Sequence, residues 1–210
     1  MRNICYVTAL LVAECSAPPV AMEDSGQQLA VVAERVPEQA TTLGETYAAY
    51  SSDTVSAEKQ RAYFMAFPGD YASLRKVFGF EEIGEDSTKY GEYYEQGNEM
   101  IGAFFRLPAI PAAEFAKKAV GIARNGVWQE DGVGYYQMFL ARNLEKTPAV
   151  YLDAVVALPV KERAGFWSFY VDGPEPYPME DAMRLRRVLV KVPEQISLVD
   201  SILAVSRTKH

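Results

Sequence analysis

From Ser56 to His210, prolines, glycines and capping residues interrupt the chain at short intervals, and the apolar residues between them recur at helical spacing. Punctuation this dense excludes long strands and long coiled coils; what it permits is a packed set of short helices. Ser56 is placed to cap a helix carrying Tyr63, Phe64 and Phe67, which Pro68-Gly69 ends. Asp70 caps Tyr71 to Phe78, with Leu74 and Phe78 on one face, and Gly79 suits a left-handed C-terminal position. Residues 80 to 87 read as an acidic loop. Gly91 to Leu107 then reads as a longer helix with Tyr94, Ile101, Phe104 and Phe105 on its apolar side.

The pattern continues to the end. Pro111 starts Ala112 to Arg124, closed by Asn125-Gly126, and Asp131 caps Gly132 to Lys146. Thr147-Pro148 opens Ala149 to Leu158, and Pro159 opens Val160 to Val171 with its Phe166, Trp167, Phe169 and Tyr170. The last helices span about Glu180 to Val192 and Glu194 to Ser206. Arg187 to Val192 alternates like a strand, but Leu185, Val188, Leu189 and Val192 also keep helical spacing, and helix is assigned. The expected fold is therefore all-α, a single domain of about eight or nine short antiparallel helices over residues 56–210. A faint echo between Pro111-Ala-Ala-Glu-Phe and Pro148-Ala-Val-Tyr-Leu, each followed by a tryptophan segment, tilts this toward stacked helical hairpins.

Upstream, Met1 to Ala21 has the form of a secretory signal. Arg2 supplies the charge, Ile4 to Ala13 an uncharged apolar run too short to span a bilayer, and Cys15 to Ala21 small residues and helix breakers. The expected location is periplasmic or secreted, or cytoplasmic if residues 1–21 stay attached. Acylation at Cys15 and a native N-terminal helix are the alternatives. Residues 22–55 read as a polar leader with marginal helices.

Both cysteines, Cys5 and Cys15, lie in the signal-like segment, and the one histidine is His210. A mature chain without interior Cys or His builds no Cys/His zinc site, cysteine nucleophile or Ser-His-Asp triad. No metal and no cofactor are expected. The net charge of −7 repels nucleic acid, so a protein is the expected partner, with no membrane span in the mature chain.

Four constellations remain. Glu81, Glu82, Glu85, Asp86, Glu92, Glu95 and Glu99 surround a single base, Lys89, and Glu92, Glu95 and Glu99 would share a face of the Gly91 to Leu107 helix. They read as a solvated face, a surface for a cationic partner, or half of an acid/base pair. Trp128, Glu130 and Asp131 place an aromatic ring beside two carboxylates, as a sugar cleft does, although Asp131 is equally an N-cap and Trp128 a staple. Tyr177, in the proline-stiffened loop Asp172 to Pro178, is a candidate binding edge. Finally Arg184, Arg186, Arg187, Lys191, Arg207 and Lys209 outnumber Glu194 and Asp200 at the C-terminal end, with Arg184, Arg187 and Lys191 on a face opposite Leu185 and Val188. An acidic middle and a basic end can attract between two copies or pair within one.

The favoured function is an exported, non-catalytic helical protein binding another protein through acidic and aromatic surface. Glu92, Glu95, Glu99, Trp128, Glu130, Asp131 and Tyr177 are the expected contact residues, and a toxin-neutralising, immunity-type protein is one specific form. The alternative is a carboxylate-dependent hydrolase of envelope polysaccharide, using Glu130 or Asp131 with an acid of the Glu92–Glu99 face.

Overall fold

Side chains of residues 42–52 enter the same core as everything downstream. The computed structural model describes residues 42–84, 87–175 and 177–206, all within one unit, Arg35–His210. The expectations for Met1–Ala21, for residues 22–41 and for Arg207, Lys209 and His210 lie outside the described residues. Helix α1 (42–52) buries Leu43 and Tyr50, and the Tyr50 ring stacks on Tyr63 at 5.5 Å. The helical core therefore begins upstream of Ser56.

The remaining elements are α2 (Ala57–Ala66), α3 (Tyr71–Phe78), β1 (Phe80–Gly84), β2 (Ser87–Tyr90), α4 (Gly97–Phe104), α5 (Ala112–Ala123), α6 (Gly132–Lys146), α7 (Pro148–Val156), α8 (Val160–Val171), α9 (Met179–Leu189) and α10 (Pro193–Ser206). The fold is all-α apart from one small hairpin. Local signals set most boundaries. Ser56 Oγ accepts the Lys59 N–H at 3.3 Å, and Asp70 Oδ1 accepts the Ser73 N–H at 2.8 Å, each satisfying an amide the helix start leaves open. Pro148 occupies the first turn of α7, and Pro159 immediately precedes α8.

Three expectations fail around residue 80, all tied to the hairpin there. The acidic loop is the first strand of an antiparallel hairpin, with Phe80 opposite Tyr90 and Glu81 opposite Lys89. The helix expected from Gly91 begins only at Gly97, because the backbone before it is committed elsewhere. Gly91 N–H bonds Gly79 O at 2.9 Å, and Tyr93 N–H bonds Val77 O at 3.0 Å, tying the chain back onto the end of α3. Gly91 is required there, since a Cβ would lie 2.3 Å from Val77 O. Gly79 is likewise not left-handed: its φ of −98° feeds straight into β1.

Aromatic side chains dominate the core, where each fully buried Phe contributes about 1.5–3 kcal/mol. Phe67 and Phe104 stack at 3.9 Å, and Phe104, Phe105 and Phe115 continue the cluster into α5. Helix α5 packs on α7, α4 on α6, and α8 on α10. The two helices of the sequence echo thus meet, but their tryptophans differ: Trp167 is fully buried and Trp128 half-buried. Buried polar groups act as ties between segments. Gln60 donates to Thr54 O and accepts the Ala109 N–H, while Gln195 Oε1 accepts the Trp167 indole N–H at 2.8 Å. No helix among the described residues is long and apolar enough to cross a membrane.

Candidate functional site

Hairpin strands β1 and β2 stand out from the helical body, with every strand residue after Phe80 exposed. Their pairing shifts register between Glu82 and Gly84, which leaves Ile83 out of the ladder and 61 % exposed. Glu81, opposite Lys89, also meets the Arg75 guanidinium at 3.3 Å. At the base, the Gln129 amide clasps the Phe80 backbone from both sides. Its Nε2 donates to Phe80 O at 2.9 Å, and its Oε1 accepts the Phe80 N–H at 3.4 Å.

Above that clasp sits an aromatic triad. Tyr90 and Tyr94 lie 4.5 Å apart, and Phe80 lies 6.4 Å from each. Tyr90 is 56 % exposed. The Tyr94 hydroxyl donates to Asp131 Oδ2, and that carboxylate, followed by burial and the nearby charges, raises the Tyr94 pKa above its ordinary value.

Asp131 differs from its expected role. It stands at the N-terminal boundary of α6, but its side chain makes no capping bond, and its backbone has φ 60° and ψ −120°. It is the one non-glycine residue at positive φ among those described. At the next residue a Cβ on Gly132 would lie 2.2 Å from Phe78 O, so the helix starts hard against α3. The carboxylate meets the Tyr94 hydroxyl instead of the α6 amides.

The segment before Asp131 is pinned at three points. Tyr71 Oη donates to Val127 O at 2.5 Å, the Trp128 N–H donates to Asp172 Oδ2 at 3.1 Å, and Gln129 holds Phe80. Trp128 is half-buried and Glu130 exposed.

Of the residues singled out in the sequence, Asp131 comes together with the 92–96 turns that carry Tyr94. Glu92, Glu95 and Glu99 are all exposed, but they do not form one helical row: Glu92 and Glu95 lie in the turns and Glu99 on α4. Tyr177 belongs elsewhere. Rather than an exposed edge it is half-buried against the core, where burial, then Asp181 and Glu145, raise its pKa. Ile83, Tyr90 and Tyr94 are additions that residue types alone did not mark. A signal for the hairpin was present nonetheless, in a short run that begins with Phe80 and another that ends with Tyr90, separated by Gly84 to Asp86.

Two further features bear on chemistry. Lys118 is half-buried, donates to Phe64 O at 2.5 Å and Phe67 O at 2.6 Å, and lies 4.8 Å from the Phe64 ring centroid. Burial, then the Arg61 charge, lower its pKa to about 8. Its bonds make it a clamp on the end of α2. The second feature corrects the picture of α9. Val188 does not lie opposite the basic face; with Leu152 it lines a groove of about 410 Å³ that Arg184, Arg187 and Lys191 also border. Among the described residues no three His, Cys, Asp or Glu side chains gather as a metal-binding group.

Comparison of this chain with protein-family models, with curated proteins and with solved structures finds no match.

Proposed function

We propose that this chain is an exported, non-catalytic helical protein that binds a cationic protein partner through the hairpin face. The observation that carries the reading is the projecting, exposed β1–β2 hairpin, with Tyr90 on its surface and carboxylates around it. Among the described residues each strand has a strand partner on one side only, and, Phe80 being held by Gln129, the outer edge of β2 is the one free along its length to accept an added strand. Tyrosine supplies rigid contact area at low entropic cost, and Glu82, Glu92, Glu95 and Glu99 set the sign of the partner. Asp131 and Gln129 act as positioning residues, holding Tyr94 and Phe80 beneath this face. Trp128 and Glu130 flank Gln129 along the chain, whereas Tyr177 contributes as packing. A toxin-neutralising, immunity-type role is the narrower form of the same reading, since such a partner needs only to be covered.

The test is affinity capture from the extracellular or periplasmic fraction with wild type and with a Tyr90→Ser/Glu95→Lys variant. The wild type is expected to retain a basic protein that the variant loses and that high salt releases. Equal capture by both, or capture of nothing basic, refutes the reading. Lowered turnover of envelope glycan on Glu130→Gln or Asp131→Asn replacement would favour the hydrolase instead.

A further inference from the structure

Two surfaces among the described residues combine exposed apolar side chains with charges that have no ion-pair partner. On α9 and α10, Arg184 meets Glu145 and Asp181, and Arg186 meets Asp200, so part of the basic end is neutralised within the molecule. Arg187 and Lys191 have no ion-pair partner among the described residues, and both border the 410 Å³ groove between α7 and α9. Its accessible apolar surface comes from half-buried Val188 and from Val190, which is 69 % exposed, over a Leu152 that is only 2 % exposed. On the hairpin, Glu82 is likewise without an ion-pair partner among the described residues, and its neighbour is the exposed, out-of-ladder Ile83.

The two surfaces are chemical complements: Ile83 beside the Glu82 carboxylate, and an apolar trough bordered by Arg187 and Lys191, whose one carboxylate, Glu145, is met by Arg184. We propose that the groove receives the β1 tip of a second copy of the chain, with Ile83 on Val188 and Val190 and Glu82 against Arg187 and Lys191. This rests on the hairpin being a docking face and gives that face a second occupant. The contact joins unlike surfaces, so each associated pair leaves one hairpin and one groove open, and growth proceeds head to tail into rings or short chains. The like net charge of the copies opposes approach, but screening over about 8 Å at physiological salt leaves the local contact to decide. Self-association and foreign-partner binding compete for the same hairpin.

Sedimentation velocity of the full chain over a concentration series tests this. Wild type is expected to sediment faster as concentration rises, and to return to monomer near 1 M salt, where the Debye length is about 3 Å. Glu82→Lys and Lys191→Glu are each expected to weaken self-association about tenfold or more. Mixed in equal amounts they associate again, because the intact groove of one meets the intact hairpin of the other. Circular dichroism checks that both variants fold. A wild type that stays monomeric throughout, variants that associate like wild type, or a mixture of folded variants that stays monomeric, overturns the proposal. Lys191→Glu leaves the hairpin unchanged, so its capture of a basic partner reports on the proposed function alone.

Discussion

Replacing Asp131 by glycine separates two opposed effects at the foot of the hairpin. Asp131 sits at φ 60° and ψ −120°, a conformation that costs a non-glycine residue about 1–3 kcal/mol. Its carboxylate accepts the Tyr94 hydroxyl, a charge-assisted bond worth about 1.5 kcal/mol at a half-exposed position. Glycine relieves the strain but adds about 0.5–1 kcal/mol of chain entropy, leaving a net gain of about 1 kcal/mol against the lost bond. Asp131→Gly alone should therefore lie within about 0.5 kcal/mol of wild type, and Tyr94→Phe alone should lose about 1.5 kcal/mol. In the Tyr94→Phe background there is no bond left to lose, so Asp131→Gly should stabilise by about 1 kcal/mol, with a coupling of about 1.5 kcal/mol. Urea unfolding midpoints at constant slope read all four corners of the cycle. If Asp131→Gly destabilises equally in both backgrounds, neither the strain nor the bond is as described.

Lys118 gives a pH signature. Its amine releases its proton near pH 8 when folded and near 10.5 when unfolded, so between those values the unfolded chain binds more protons and stability rises with pH. Buried tyrosines such as Tyr63, Tyr151 and Tyr170, whose pKa values are raised, oppose this rise near pH 10. It is therefore read as the difference between wild type and Lys118→Met, which should reach about 2 kcal/mol by urea unfolding from pH 8 to 10. Tyr151 is buried with no partner for its hydroxyl, so Tyr151→Phe should leave stability unchanged or raise it by up to about 1 kcal/mol. Tyr63→Phe, which removes a buried bond to Met100 O at 2.7 Å, should instead lower it by about 1–2 kcal/mol; thermal melts distinguish the two. Gly121, within α5, faces open space where a methyl group would stand, with no atom within 4 Å, so Gly121→Ala should stabilise by about 0.5–1 kcal/mol. Gly91→Ala, facing Val77 O, should prove severely destabilising by the same thermal assay.

Much of the helical frame was legible because its signals are local. Ser56 and Asp70 cap amides three residues away, and Pro159 needs only its own missing N–H to mark the start of α8. The candidate site was legible only in its chemistry. That acids and aromatics crowd between residues 81 and 99 is plain in the sequence, but their row on a helix was wrong. The backbone of 91–93 gives its hydrogen bonds to α3, an arrangement no local propensity announces.

What the sequence alone determined is the all-α class, most helix starts and the opposed charge of the middle and the end. All of these follow from spacing, capping and composition. Tertiary structure alone decided that Phe80 is held by Gln129, 49 residues on, and that Tyr94 reaches Asp131, 37 residues on. It also decided that Arg187, Lys191, Leu152 and Val188 share one groove. These pairings depend on how helices pack, and packing is settled by the sum of many buried contacts rather than by any residue's own preference.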